Sequence, residues 1–179
     1  MERKRSLALA AGKSVIVSEK KGRSNVVMSE PLAYLITWTT HGTWLPGDER
    51  GWVQKYVPGV QAGDPARRGE AQQKMDEPPI VLDSEQRALV EATVRAHCDI
   101  RRWSLHALNA RSNHVHVVVT AAETDPAKVM DQFKAWCSRR LNERAGHAQE
   151  HWWTRHGSTK WINDESYLQN AIRYVLEGQ

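Results

Sequence analysis

Two histidines separated by one residue, His114 and His116, carry the clearest chemical signal in the sequence. They belong to residues 113–120, a valine-rich segment of the kind that forms buried strands. Because successive side chains of a strand point to opposite faces, both imidazoles share one face, with their Cα atoms about 6–7 Å apart. Two ring nitrogens at that spacing can converge on one cation. The alternative is that both histidines simply occupy a half-exposed strand face.

A tyrosine near the end of the chain, Tyr174, is the candidate nucleophile. Asn163 and Asp164 are typical helix caps and predict a final helix to the C-terminus. Its apolar stripe, which would pack on a sheet, is formed by Leu168, Ala171, Ile172 and Val175. Tyr174 lies beside that stripe. Metal-bound histidines can polarise a phosphate, and a phenol can attack it to form a phosphotyrosine. The alternative is a tyrosine that only packs.

The remaining elements are predicted from strand-forming residues, helix caps and helical periodicity. They are a strand over residues 34–40, a helix from Asp83 or Ser84 to about Asp99, a hairpin over 103–120, a helix over 125–145, and a strand over 152–155 and 158–162. This order predicts an α+β fold, the ferredoxin-like βαββαβ sheet with an appended C-terminal helix that carries the tyrosine. The first strand and the histidine strand are then the two central strands. Such a fold alone says little about chemistry.

Two stretches between these elements bear on function. Residues 49–79 are polar and rich in Gly and Pro, which predicts a long loop without regular structure. Trp44, Trp52 and Tyr56 lie near its start and could stack on unpaired bases, although such residues more often pin a loop to the core. In the helix over 125–145, the side chains predicted to pack in the core are Val129, Phe133, Trp136, Cys137 and Leu141. Those predicted on its polar side are Lys134, Arg139, Arg140 and Arg144.

Length and composition indicate one folded domain. The chain has 179 residues, a net charge of +4 and two cysteines without metal-site or disulfide spacing. Its mildly basic character permits a polyanionic partner. No apolar run reaches the ~20 residues of a membrane span, so no membrane contact is expected. The two cysteines form no disulfide framework and no CxxC motif, so a reducing cytoplasm is the expected location. Residues 1–28 are predicted to be a disordered basic tail, with Met28 as an alternative start, and residues 29–179 the functional domain.

Several of these segments together resemble the HUH family of single-tyrosine transposases, including the REP-associated tyrosine transposases. The histidine segment resembles the HUH motif, and residues 171–175, Ala-Ile-Arg-Tyr-Val, resemble the helix that carries the nucleophile. The other matching segments are residues 38–40, 133–134, 139–142 and 152–153. The similarity covers about residues 31–179. The histidine motif alone is moderately specific, and the terminal helix in the right order makes the match strong.

The resemblance implies a metal-dependent endonuclease and strand transferase that acts on single-stranded DNA during transposition. By position, His114 and His116 would bind Mg²⁺ or Mn²⁺, and Tyr174 would form a 5′-phosphotyrosine and release a 3′-hydroxyl. The DNA partner is expected to carry hairpins, and a homodimer is one option. Candidates for holding the DNA backbone are Arg139, Arg140, Arg155 and Lys160; for each of them the alternative is a solvated surface charge.

The sequence departs from the family pattern one turn after the tyrosine, where a polar residue can complete the metal site. Gly178 stands there, and the remaining candidates for a third ligand are its neighbours Glu177 and Gln179, a DNA phosphate or water. Two other functions therefore stay open. One is a non-catalytic module that stacks single-stranded nucleic acid on its sheet. The other is a hydrolase whose nucleophile is water and that forms no covalent adduct. The DNA sequence recognised and any domestication by the host are also left open.

Overall fold

The computed structural model describes residues 30–54 and 56–178. The predicted tail, residues 1–28, lies outside the described residues. The strands are β1 (Ala33–Thr40), β2 (Trp52–Val53), β3 (Val60–Gln61), β4 (Ser104–Ala110), β5 (His114–Thr120) and β6 (Trp153–Ile162). The helices are α1 (Pro65–Gln73), α2 (Ser84–Arg101), α3 (Pro126–Ala145) and α4 (Glu165–Glu177).

The main sheet has four strands in the order β4-β5-β1-β6, and each neighbouring pair is antiparallel. With α2 after β1 and α3 after β5, this is the predicted ferredoxin-like arrangement, to which α4 is added. The prediction that β1 and β5 occupy the centre of the sheet is confirmed. No helix in the described part of the chain is long and apolar enough to cross a membrane.

The two faces of the sheet are covered by different helices. Val115, Val117 and Val119 are fully buried in the core that includes residues of α2 and α3, as the valine face of the strand predicts. On the other face, Leu168, Ala171 and Val175 of α4 form a smaller core that also contains Ala33, Leu35, Ala107, Val118 and Ile162. His114 and His116 therefore lie on the face that α4 covers, because their side chains alternate with the valines.

The stretch over residues 49–79 is not the unstructured loop that its composition predicts. It contains β2, β3 and the nine-residue α1. Asp64 caps α1 by accepting a hydrogen bond from the amide of Arg67, and Pro65 occupies its first turn. The helix buries none of its residues. A helix that packs against no core needs no repeating apolar positions, so hydrophobic periodicity in the sequence does not predict it.

Two predictions for α3 are wrong. Trp136, predicted in the core, is 42% exposed, whereas Lys134, predicted on the polar side, is only 9% exposed. Lys134 lies one helical turn after the buried Met130, so helical geometry directs it towards β6 rather than to solvent. The other predicted core residues of α3 are buried: Val129, Phe133, Cys137 and Leu141.

Candidate active site

A row of polar side chains crosses all four strands on the face covered by α4. Pairing in the sheet places Asn109 of β4 opposite His116 of β5, His116 opposite Thr37 of β1, and Thr37 opposite Ser158 of β6. Directly opposite residues in an antiparallel pair have neighbouring side chains on the same face. The next pair of the central strands on this face joins Thr39 to His114. The two central strands thus place both histidines beside threonine hydroxyls.

The two imidazoles are close to each other, and each has an oxygen beside its Nδ1 atom. Their ring centroids lie 4.7 Å apart. Thr37 Oγ1 is 2.7 Å from His116 Nδ1, and Asn113 Oδ1 is 2.7 Å from His114 Nδ1. When these oxygens accept a hydrogen bond from the protonated Nδ1, the lone pair of the neutral ring resides on Nε2. Histidine ligands of metals are commonly oriented by such an oxygen on the other ring nitrogen.

Tyr174 meets the histidines from α4. Its ring centroid is 5.5 Å from that of His116, with the rings inclined at 76°, and its side chain is 47% exposed. The end of α4 is tied to the sheet because the Asn109 amide nitrogen donates to the carbonyl of Val175, 3.0 Å away. Tyr174 therefore lies at the row of polar side chains and remains open to solvent.

A groove of about 800 Å³ runs between the sheet, α4 and the segment after β1. His116, Tyr174, Arg155 and Lys160 all line it, together with Tyr167, Asn170, Trp44 and Val53. Two of the predicted basic residues, Arg155 and Lys160, thus lie in the same groove as the tyrosine.

The other two predicted basic residues are on α3, which packs on the opposite face of the sheet. Arg139 stacks on Trp136, with its guanidinium carbon 5.3 Å from the ring centroid. Arg140 forms an exposed ion pair with Glu143, with Nη1 and Oε2 2.7 Å apart. The structure does not bring these two arginines into the groove.

A bulge in β6 shapes one side of the groove. Trp38 pairs with Gly157 and Thr40 pairs with Trp153, so three residues of β6 stand opposite the single Thr39 of β1. Those three residues, Thr154, Arg155 and His156, all line the groove. Gly157 permits the close approach of the strands, since a Cβ there would lie 2.5 Å from the carbonyl oxygen of Thr37. Bulges of this kind redirect side chains and are common beside active sites.

Lys134 holds this bulge from the opposite face of the sheet. Its Nζ donates to the carbonyls of Thr154, Arg155 and His156, at 2.9, 3.4 and 3.2 Å. Burial lowers the pKa of the Lys134 ammonium, and nearby Asp131 partly offsets that effect. Carbonyls that leave a regular ladder need other partners when they are away from water. Lys134 therefore positions Arg155 without lining the groove itself.

The histidine pair fits an open metal site rather than a closed one. Among residues 30–54 and 56–178, no group of three or more His, Cys, Asp or Glu side chains is placed to hold a metal ion. Glu177 accordingly does not join the two histidines, and Gln179 lies outside the described residues. Two oriented imidazoles can nevertheless serve as the protein's share of a site whose other ligands are substrate oxygens and water.

Pattern alone did not identify several residues of the site. Thr37 and Thr39 could have been found from the alternation of β1 once its pairing with β5 was known. The roles of Asn109, Lys134 and Thr154 were not predicted, because they depend on strand register and on contacts between distant segments; Lys134 belongs to a segment that matches the family, but its position was predicted on the polar side of α3.

Known proteins were searched for similarity to both the sequence and the structure of this chain. No curated protein matches the sequence. Among solved structures, the chain resembles a protein of Deinococcus radiodurans R1 assigned as a transposase, with 16% identity, a TM-score of 0.48, and coverage of 85% of this chain and 92% of that one. It also resembles a REP-associated tyrosine transposase bound to a REP hairpin, with 10% identity, a TM-score of 0.49, and coverage of 89% of this chain and 70% of that one.

A family model supplies the identification. Residues 79–177, more than half of the chain, match the model described as IS200-like transposase. The matched region contains the histidine strand, the bulged strand β6 and the helix with Tyr174. Membership confirms the resemblance drawn from the sequence motifs and places the protein in an enzyme class. The chain belongs to the IS200-like transposase family.

Proposed function

We propose that this transposase cuts and rejoins single-stranded DNA through a covalent bond to Tyr174. The observation that carries the proposal is the cluster of His114, His116 and Tyr174, with 4.7 Å between the histidine centroids and 5.5 Å from His116 to the tyrosine ring. A phenol beside two oriented imidazoles in an open groove has the parts needed for attack on a phosphodiester.

The proposed cleavage transfers the phosphoryl group from a sugar to the tyrosine. The Tyr174 phenol oxygen loses its proton to solvent and bonds to the phosphorus as the bond to the 3′ oxygen breaks. That oxygen takes up a proton and becomes a 3′-hydroxyl, while the 5′ end stays attached as a phosphotyrosine. In rejoining, a 3′-hydroxyl of DNA attacks the phosphorus, and the bond to the tyrosine oxygen breaks to restore the phenol. No net oxidation or nucleotide hydrolysis is required.

The metal-binding role of the two histidines is part of the proposal. His114 and His116 would hold Mg²⁺ or Mn²⁺, which when bound supplies Lewis-acid neutralisation of phosphate charge. Hard cations of this kind prefer oxygen ligands, so two imidazoles form a weak cage that DNA phosphate and water would complete. Metal and DNA binding should therefore strengthen each other. Thr37 and Asn113 keep the two rings in the orientation that this role needs.

The proposed substrate is single-stranded DNA that carries a hairpin, as the sequence resemblance to the family implies. Arg155 and Lys160, both exposed in the groove beside Tyr174, are suited to contact its phosphates. A flexible unpaired strand can enter this groove more readily than a rigid duplex can.

The test is the formation of a covalent adduct. The full chain is incubated with hairpin-bearing single strands and Mn²⁺ and then run on a denaturing gel, where a protein–DNA adduct is expected. Tyr174→Phe removes only a hydroxyl and should abolish the adduct while DNA binding persists. Tyr167→Phe, on the same helix and in the same groove, is the matched control and should still form it. Adduct formation by Tyr174→Phe would place the nucleophile elsewhere, and binding without any wild-type adduct would favour the non-catalytic module.

A further inference from the structure

Trp44 is an exposed aromatic side chain that the chemistry at Tyr174 does not explain. It lies in the segment after β1, is 43% exposed and lines the same groove as His116 and Tyr174. Single exposed apolar side chains are common on protein surfaces, so it is the position of this ring in the groove beside Tyr174 that calls for an explanation. Exposure and location together therefore point to a binding role.

The ring of Trp44 is held in place before any ligand arrives. Its Nε1–H donates to the carbonyl oxygen of Gly51, 2.7 Å away. The guanidinium of Arg50 stacks on the ring, with its carbon 4.7 Å from the centroid. Gly51 has a φ of +94°, a conformation that side-chain-bearing residues rarely adopt, and this conformation places its carbonyl within reach of the indole. Arg50 thus contacts the ring, which is still 43% exposed and lines the groove.

Arg50 is itself fixed by Asp48. Its Nε and Nη2 donate to Oδ1 and Oδ2 of Asp48, at 2.7 and 2.8 Å, and Nη2 also donates to the carbonyl of Thr43 at 2.8 Å. Asp48 is 2% exposed. A two-point contact between guanidinium and carboxylate is among the more rigid polar contacts in proteins. Asp48 accordingly fixes the guanidinium of Arg50, and that guanidinium stacks on the ring of Trp44.

Trp52, eight positions after Trp44, serves a different purpose. It is 8% exposed, and its Nε1–H donates to the carbonyl of Ala62 at 3.0 Å, so it is buried within the segment itself. The guanidinium carbon of Arg67 lies 4.7 Å from the centroid of the Trp52 ring. Trp52 is therefore buried and does not line the groove, whereas Trp44 is exposed in the groove and is the tryptophan suited to stack on a ligand.

We propose that Trp44 is a stacking platform for an unpaired base of the DNA strand whose phosphate is attacked by Tyr174. The inference rests on the proposed function and adds a base-binding site to it. Charge favours this occupant, because Arg155 and Lys160 line the same groove and match a polyanionic backbone. Stacking on an aromatic ring tolerates any base, because every base has a π face. A ring that is already ordered loses little conformational entropy on binding.

The test separates base stacking from backbone attraction. Binding of the full chain is measured by fluorescence anisotropy with a dye-labelled oligothymidylate and with an abasic oligonucleotide of the same length. Trp44→Leu keeps an apolar side chain but removes the π face, whereas Trp44→Phe keeps a π face. We expect Trp44→Leu to weaken oligothymidylate binding roughly 10- to 100-fold and abasic binding by less than about twofold. Trp44→Phe should retain most of the affinity.

Trp136→Leu is the matched control. Trp136 is 42% exposed and carries Arg139 on its ring, but it lies on α3, on the opposite face of the sheet. It should bind both oligonucleotides like the wild type. The proposal is overturned if Trp44→Leu binds oligothymidylate normally, if it loses abasic binding equally, if Trp136→Leu shows the same loss, or if the wild type binds neither probe. Adduct formation is scored separately, so failure of the Tyr174 chemistry leaves this comparison intact.

Discussion

His116 and Tyr174 of one chain face each other across the boundary between β5 and α4, with their ring centroids 5.5 Å apart and their planes inclined at 76°. The hydrogen bond from Asn109 to the carbonyl of Val175 ties the end of α4 to the sheet of the same chain. A single chain thus contributes both histidines and the tyrosine to this cluster of side chains.

This relationship predicts that Tyr174, the proposed nucleophile, acts in cis, at the histidines of its own chain. His116→Ala and Tyr174→Phe should each form no adduct, and mixing the two should restore none, because every chain then lacks one part of its own site. If α4 were exchanged between chains of a dimer, one site of the mixed dimer would be intact. Recovery of adduct in the mixture, scored on a denaturing gel after unfolding and refolding the variants together, would contradict the cis arrangement.

Removal of either proposed histidine ligand should abolish cleavage with little effect on folding. We expect His114→Ala and His116→Ala each to lower the rate of adduct formation by more than the roughly 10- to 100-fold loss typical of an outer-shell partner. Folding should persist because the valine face of β5 supplies its packing. Thr37→Val, which removes the hydroxyl beside His116 Nδ1, should fall within that 10- to 100-fold range. Wild-type rates in either alanine variant at saturating Mg²⁺ would rule out the assignment.

The basic residues should divide into two groups by their salt dependence. Arg155→Gln and Lys160→Gln, both in the groove, should weaken single-strand binding and each lower the slope of log K against log salt by about 0.7. Arg139→Gln and Arg140→Gln, on the opposite face, should leave the slope near that of the wild type. A titration of affinity between low and moderate salt measures this, and equal changes in all four variants would show that α3 also binds the strand.

Lys134 should matter for both stability and DNA binding. Lys134→Met keeps the apolar stem but leaves three carbonyls of the β6 bulge without their ammonium donor. We expect a loss of roughly 1–3 kcal/mol in unfolding free energy, measured with urea, and weaker DNA binding because Arg155 loses its support. Lys128→Met is the control, since Lys128 is exposed on the same helix and should change stability by less than about 0.5 kcal/mol. Equal effects of both variants would refute the role of Lys134.

The Asp48–Arg50 pair should make stability depend on acid pH. The hydrogen bond from Arg50 is the main cause that lowers the pKa of Asp48 to about 2, against the opposing effect of burial. In the unfolded chain an aspartate titrates near pH 4, so its stabilising contribution is complete above about pH 4 and is lost as the pH falls through about 2. Since Arg50 is half exposed, we expect roughly 1–2 kcal/mol to be lost over this interval.

Asp48→Asn should remove that part of the pH dependence. Urea unfolding at about pH 5 and about pH 3 compares the two proteins, and the wild type should lose more stability between these values. The same loss in both would assign the acid sensitivity to other carboxylates.

What the sequence determined was the local structure and the chemistry of single side chains. The caps at Asp83, Asp125 and Asp164 are all present, and the valine alternation in β5 places His114 and His116 on one face. These signals act over one turn or one strand, where residue type decides the conformation. The order of elements then leaves few arrangements, which is why the α+β fold and its two central strands could be inferred.

Tertiary structure alone decided which distant residues meet. The row from Asn109 through His116 and Thr37 depends on strand register, and a shift by one residue would turn each side chain to the other face. The charge of Lys134 predicts exposure, and only the packing of α3 against the bulged strand β6 provides the three carbonyls that its buried ammonium contacts. Likewise, α1 lacks an apolar period, and Trp44 and Trp52 have the same residue type but opposite exposure. Side-chain burial and strand pairing depend on how the helices and the sheet pack together, so they cannot be predicted from a local sequence pattern.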